Sequence, residues 1–308
     1  MYHFIINPKS SSGKGIRYWW TVKEILDKNR ISYSADFTKH EGHARELAEQ
    51  ICSKTSGIKN IVVLGGDGTL NEVLNGITGI EEILLGYIPS GSSNDLGRNL
   101  GISKDPEKAL ANVLKPTKFK YLDYGIIDFH DNQKEPRKFI GSSGFGYDAE
   151  VCMEVQACSL KEKLNRYGLG KLVYFALALK KLMGLKLMDA TVMIDGVRKE
   201  TFERVMLVSS MIHRYEGGGM MMAPDADPSD GKLSVCLVHG LGRMKILLLL
   251  PTIFLGKHVK YKGVETFQCS NIEINTSRDT AVHTDGEVAA VCSHISVSCV
   301  PGKIRMIL

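Results

Sequence analysis

Over roughly the first 118 positions, short apolar runs alternate with stretches whose apolar residues recur at helical spacing. Tyr2–Ile6 reads as a strand, and a helix is predicted from about Ile16 to Asn29. A strand at Ser32–Phe37 and a helix at Ala44–Ser53 come next. Ile61-Val62-Val63-Leu64, four apolar and mostly β-branched residues, reads as a buried strand, and Leu70, Val73, Leu74 and Ile77 then fall on one helical face. A strand at Ile83–Ile88 and a short helix at about Pro106–Leu114 close this half. Strands alternating with helices imply a parallel sheet with right-handed crossovers, whose binding edge is the set of loops at the strand carboxyl ends.

The pattern changes near Lys118. From there on mostly short strands are expected: Tyr121–Asp128, Lys138–Ser143, Asp189–Ile194, Glu203–Ser209, Leu233–Val238, Val264–Cys269, Asn271–Thr276 and Ile295–Val300. Two helices interrupt them, at about Lys171–Leu182 and Arg243–Leu255. The outline is a β-rich, sandwich-like second domain, so the chain divides into 1–118 and 119–302. Lys303–Leu308 reads as one more strand, and the pattern does not say which domain it joins.

The turn between Leu64 and Leu70 is Gly65-Gly66-Asp67-Gly68-Thr69. Glycines let backbone approach an anion, and a helix start presents unpaired N–H groups and the positive end of its dipole. Asp67 would repel a bare phosphate, so it makes chemical sense beside a metal ion; read blandly, it caps the helix. The opening loop Asn7-Pro8-Lys9-Ser10-Ser11-Ser12-Gly13-Lys14-Gly15 has the composition of a P-loop without its glycine spacing. Lys9 and Lys14 either meet phosphate or are merely solvated.

Composition narrows the class. The chain has 308 residues, 44% hydrophobic and 24% charged, with a formal charge of +5. That charge is too small and too evenly spread to argue for nucleic acid, and no RNP-like, zinc-finger or basic-region pattern is present. The N-terminus lacks a secretory pattern, and the cysteines at 52, 152, 158, 236, 269, 292 and 299 form no Cys-x-x-Cys pair. Reduced, mostly buried thiols in a cytoplasmic protein are expected. The most apolar run, Ile246–Gly256, is broken by Pro251 and falls far short of the ~20 residues a spanning helix needs. His213, His239 and His283 show no ligand spacing, so metal binding through histidine is not expected, and His43 reads as a capping or surface residue.

Five signals in order carry a family resemblance: Gly65–Asn71, Gly91–Asp95, Glu216-Gly217-Gly218-Gly219, Pro224–Gly231 and Asp285-Gly286-Glu287. Together with Asn7-Pro8 this set resembles the diacylglycerol-kinase catalytic family, in particular bacterial soluble lipid kinases of the YegS/BmrU type, over essentially the whole chain. The resemblance implies an N-terminal Rossmann-like α/β domain related to NAD kinase and phosphofructokinase. It also implies a C-terminal β-sandwich-like domain, with the nucleotide in the cleft between the two. It implies a kinase using ATP and Mg2+ on a lipid hydroxyl, with peripheral membrane contact.

By position, the resemblance assigns ATP binding to Thr38, Gly65, Gly66, Asp67, Gly68, Thr69, Leu70, Asn71 and Ser92, and the neighbouring loop adds Asn94 and Asp95. Asp230, with the carbonyls of Asp227 and Lys232, matches a magnesium site, and Glu287 matches the proton acceptor with Asp285 beside it. Read on their own, Asn94-Asp95 is an N-cap or Asx turn, Asp-Pro-Ser-Asp-Gly an ordinary turn, and Asp285-Gly286 a type I′ hairpin turn. Ser92-Ser93 stands where Gly-Thr is usual, and Met211 where an Asn is frequent.

Two other functions stay open at this stage: a NAD kinase, and a nucleotide-binding regulator without turnover. The acceptor lipid and the oligomeric state, a homodimer included, are not fixed by the residues. Lys180–Met188 mixes lysines with apolar side chains; it reads as a core-facing helix with solvated lysines, or as a surface for anionic membrane.

Overall fold

The structure, a computed structural model, describes residues 1–54, 57–131, 134–157 and 170–308. Cys158 lies outside them. The chain forms two compact units, Met1–Tyr124 with Pro301–Leu308, and Gly125–Val300.

The first unit is a parallel sheet flanked by helices. Its elements are β1 (Tyr2–Ile6), α1 (Ser10–Lys28), β2 (Tyr33–Phe37), α2 (His43–Lys54), β3 (Lys59–Gly65), α3 (Asp67–Gly76), β4 (Ile83–Pro89), α4 (Asp95–Leu100) and α5 (Pro106–Leu114). β1 lies between β2 and β3, all parallel, and β4 follows β3 in register from Lys59↔Ile83 to Gly65↔Pro89. Alternate residues Phe4, Ile6, Val62, Leu64 and Ile88 share one core with Trp19, Val22 and Leu26 of α1 and Leu110 and Val113 of α5. This is the period of two expected of strands. The regular part of α1 begins where the sequence places it, because Ser11, Ser12 and Gly13 take left-handed φ values of 44°, 57° and 91°. Asp105 caps α5, accepting the Glu107 N–H at 2.9 Å, with Pro106 in the first turn.

The last residues rejoin this unit. They belong to the long strand β13 (Glu287–Ile307), whose end runs parallel to β4 through Arg305↔Leu84 and Met306↔Leu85. Met306 is fully buried there.

The second unit is antiparallel and β-rich. β5 (Phe119–Phe129) leads into it, followed by β6 (Arg137–Phe139), β7 (Ser142–Gly146), α6 (Tyr147–Ala157), α7 (Gly170–Met183), β8 (Met188–Ile194) and β9 (Arg198–Met211). Then come β10 (Leu233–His239), α8 (Arg243–Ile253), β11 (Val264–Cys269) and β12 (Asn271–Thr284), with β13 completing the set. The strands run β11-β10-β9-β7-β12-β13, and β8 bridges the far ends of β9 and β12. Leu233, Val235 and Leu237 of β10 enter one core with Phe139, Phe145 and Ile274. Cys236 and Val238 enter the other, under Tyr147, Val151 and Val155 of α6 and Ile246 and Leu249 of α8.

Two details differ from the pattern reading. The expected strand at 138–143 is broken, because the Ile140 and Gly141 N–H groups turn away to the Asp285 carboxylate. Helix α6 is not announced by any strong apolar stripe; Tyr147, Val151 and Val155, which it gives to the second core, recur every four positions among acidic and small residues.

Replacing Met306 by Ala should cost about 2–5 kcal/mol, because it empties a fully buried site. Urea unfolding beside the exposed control Lys303→Ala tests this; equal stability of the two variants would show that the returning strand contributes nothing.

Candidate active site

In the first unit three loops meet at the carboxyl ends of β1, β3 and β4. The Asn7 N–H is held by the Leu64 carbonyl at 2.8 Å, and its side-chain amide donates to Thr69 Oγ1 at 3.1 Å. Ser10 and Ser90 share a hydroxyl hydrogen bond of 2.6 Å, and Ser11 and Ser92 one of 3.1 Å. The Gly65 carbonyl accepts the N–H groups of Ser90 and Gly91 at 2.8 and 3.2 Å. Gly66 and Gly91 then approach so closely that a Cβ on Gly91 would sit 2.5 Å from the Gly66 Cα. A Cβ on Gly65 would strike the Thr69 side chain at 2.7–2.9 Å. The result is a backbone-lined cradle at the N-terminus of α3.

Two carboxylates border it. Asp67 begins α3, and its Oδ2 accepts the Asp95 N–H at 3.1 Å. Asp95 is buried, starts α4 and is ion-paired with Arg98. Burial, followed by the charges of Asp67 and Asp95, raises the Tyr87 phenol well above its ordinary value, so it remains protonated and donates to Asn94 Oδ1 at 3.2 Å. Asn94 adopts φ 50° and donates to the Gly91 carbonyl at 2.7 Å, which fixes the second loop. The donor set facing the cradle is hard oxygen, which suits magnesium. Thr38, at the end of β2, is tied to β1 by its N–H to the Ile6 carbonyl at 2.8 Å.

Some residues near the cradle have other duties. Glu72 caps α2, its Oε2 accepting the Ala44 N–H at 3.0 Å. Lys14 lies over the Tyr18 ring at 4.7 Å. His43 heads α2 and its Nδ1 accepts the Lys39 N–H at 3.0 Å.

In the second unit Asp285 and Gly286 form the two-residue turn between β12 and β13, with φ values of 49° and 82° and Thr284 paired with Glu287. Positive φ at both positions is the type I′ arrangement. The Asp285 carboxylate accepts three backbone N–H groups, from Ile140 at 3.0 Å, Gly141 at 2.8 Å and Ser142 at 2.9 Å. Glu287 instead makes an ion pair with Arg137, both side chains about a quarter exposed. Asp285 occupies the turn and Glu287 begins β13, so the two carboxylates meet different partners.

The Asp227–Lys232 segment is an exposed turn. Asp227 Oδ1 accepts the Ser229 N–H and hydroxyl at 3.1 and 2.7 Å, and its carbonyl accepts the Asp230 N–H at 3.4 Å. Asp230 accepts the Lys232 N–H at 3.0 Å and the Gln268 amide at 3.2 Å. These are the bonds of ordinary Asx turns.

Comparison with known proteins agrees with this division of features. The family model described as the diacylglycerol kinase catalytic domain matches residues 1–124, and that of the YegS C-terminal NAD kinase beta sandwich-like domain matches 141–308. The chain belongs to the diacylglycerol-kinase-like, YegS-type lipid kinase family. It is 30% identical over 287 residues to the Bacillus subtilis (strain 168) protein "Putative lipid kinase YtlR", 92% of each chain. It is also 30% identical over 304 residues to a Mycobacterium tuberculosis (strain ATCC 25618 / H37Rv) "Diacylglycerol kinase", covering 95% of this chain and 93% of that one. A crystal structure of a "putative diacylglycerol kinase" from Bacillus anthracis str. Sterne has a TM-score of 0.77 at 24% identity, covering 99% and 94%. That last likeness establishes the fold.

Sequence reasoning missed one cluster in this chain. His283 of β12 is fully buried, its Nε2 lying 3.0 Å from Glu216 and 3.4 Å from Asp148. The β7–β12 pairing His283↔Gly144 makes the room, since a Cβ on Gly144 would be 2.0 Å from Asp148 and 2.3 Å from His283. Burial opposes a charged ring, but Cys152, Glu216 and Asp148 outweigh it and raise the His283 pKa well above 6.5. The Gly286 N–H lies 3.3 Å from its Nδ1, a bond that only the neutral ring can accept, so the charged ring gives up that contact to the hairpin turn. Glu216 stands in one of the sequence signals, but nothing local links it to Asp148 and His283, which only tertiary structure brings beside it.

His213 is buried too, and burial pushes its pKa down to about 4. The unfolded chain, with an ordinary imidazole near 6.5, therefore binds the proton first as pH falls. This contribution to stability is complete above pH 6.5 and shrinks through that value toward 4. Between pH 7.5 and 5 the loss should be about 2 kcal/mol. His213→Gln should flatten the pH dependence by that amount in urea titrations, and an unchanged slope would refute the neutral buried ring.

Proposed function

We propose that this protein is an ATP- and magnesium-dependent lipid kinase that transfers the γ-phosphoryl group to a hydroxyl of diacylglycerol or a similar lipid. The observation that carries this reading is the glycine cradle of residues 65–68 and 91 at the start of α3, bordered by Asp67 and Asp95. Phosphoryl transfer asks little covalent chemistry of a protein; it asks for in-line positioning, charge compensation and a base for the attacking hydroxyl.

In this reading Gly65, Gly66, Gly68 and the first N–H groups of α3 hold the phosphates, with hydroxyls of Thr69 and Ser92 at the loops and Thr38 at the adjoining strand end. Bound magnesium supplies charge neutralisation on the phosphates, and Asp67 and Asp95 are the side chains that would hold it. Asp230, with the carbonyls of Asp227 and Lys232, is a second cation position of structural kind. Glu287 is the base. Its carboxylate is ion-paired with a part-exposed arginine, whereas moving Asp285 would strip three backbone N–H groups of their acceptor. Asp285 positions the turn that presents Glu287. Arg137 must yield Glu287, or shift, as the hydroxyl arrives.

Such an acceptor places the enzyme's work at a membrane surface, from the cytoplasm and by peripheral contact. Among the described residues no helix is long and apolar enough to cross a membrane.

Transfer of labelled γ-phosphate from ATP into organic-extractable product, with magnesium and mixed-lipid micelles, tests the reading. Wild type should label a lipid. Glu287→Gln and Asp67→Asn should each lower the rate by roughly 10²–10⁴-fold, with folding intact by circular dichroism. ATP binding without any labelled lipid would overturn the proposal.

A further inference from the structure

We propose that α8 (Arg243–Ile253) and the residues just after it, 254–262, form the surface by which this protein docks on an anionic lipid bilayer. The proposal rests on the lipid-kinase reading above for its purpose, and on the following geometry for its content.

Helix α8 is apolar on every side, but only one side is buried. At about 100° per residue, Ile246, Leu249 and Ile253 fall on one face. Ile246 and Leu249 are buried in the second unit's core, and Ile253 packs against it. Met244, Leu248, Pro251 and Leu255 fall on the opposite face, with Leu247 and Phe254 beside them. That face is open: Met244 is 70% exposed, Leu248 72%, Leu255 66% and Phe254 55%. An all-round apolar helix belongs inside a protein core or in lipid, and isolated exposed apolar residues are common whereas a continuous face is not.

The charges around this face choose the occupant. Arg243 and Lys245 stand at its start, Lys257, Lys260 and Lys262 just beyond its end, all exposed, and Tyr261 lies among the latter at 50% exposure. No Asp or Glu occurs from 240 to 264. A stripe of large apolar side chains framed by basic residues, with an aromatic at the edge, matches a bilayer interface with anionic headgroups. A second copy of the same face would set like charges against each other.

The test uses the full chain and vesicles of phosphatidylcholine alone or mixed with phosphatidylglycerol. One variant carries Met244→Ser, Leu248→Ser and Leu255→Ser; another carries Lys257→Glu, Lys260→Glu and Lys262→Glu. These positions are exposed, and melting curves check that both variants fold. Wild type should co-sediment with the anionic vesicles and more weakly with neutral ones, and each variant should bind at least ~10-fold more weakly. Phosphorylation of a diacylglycerol dispersed in detergent should be unchanged in both variants, while that of vesicle-borne diacylglycerol falls. Variants that sediment like wild type, or wild type that ignores anionic vesicles, would overturn the docking surface. So would light scattering that shows a dimer dispersed by the serine variant without vesicle binding. Vesicle binding lost in the variants, without lipid phosphorylation by wild type, would instead leave the surface standing and remove the kinase reading.

Discussion

The contact between two glycines constrains the first unit more than any other. A Cβ on Gly91 would lie 2.5 Å from the Gly66 Cα, so the loops after β3 and β4 can meet only as bare backbone. The parallel register, which places Gly65 opposite Pro89, delivers both loops to the same edge. With the loops pressed together, the Asp95 N–H reaches Asp67 and the Ser90 and Gly91 N–H groups reach the Gly65 carbonyl. A side chain at either glycine would wedge the loops apart and dissolve this set at once. Preorganised backbone of this kind stabilises charge without reorganising during the reaction.

The second unit solves a different problem, that of holding a two-residue turn rigid. A type I′ turn fixes φ, ψ and register locally but not its position against the next strand. Asp285 supplies that link through three N–H groups from the break between β6 and β7. Behind it the buried His283 ring lies against Gly286, 3.3 Å from its N–H, and faces Glu216 and Asp148. The turn is thus gripped from both sides, and Glu287, just after it, is ion-paired with the part-exposed Arg137.

Much of the first unit is legible because each of its elements is announced locally. Ile61–Leu64 is an unbroken apolar run, Pro106 opens a capped helix, and a glycine turn separates strand from helix. The second unit is less so. The Asp-Gly turn and the strand ends at 264–269 can be read from residues alone, but the roles of its carboxylates cannot. Asp285 is held by the N–H groups of Ile140, Gly141 and Ser142, residues distant in sequence, and no local pattern announces that. The placement of Lys303–Leu308 depends on pairing with Leu84 and Leu85, residues distant in sequence, and no local pattern carries that information.

Two segments of this chain have nearly the same composition, lysines mixed with leucines and methionines, and the structure treats them oppositely. In α7 Lys181 lies 3.6 Å from Glu150 and Lys180 3.7 Å from Glu154, both acids of α6, while Leu182 and, just past the helix, Leu185 are buried. Exposed pairs of this sort contribute little to stability, but they cancel the field a membrane would feel. Around α8 the basic residues have no acidic neighbour in the sequence from 240 to 264, and the leucines between them are open. Composition cannot separate the two cases. What separates them is whether a neighbouring helix brings carboxylates to the lysines and apolar cover to the leucines, and that is decided by packing.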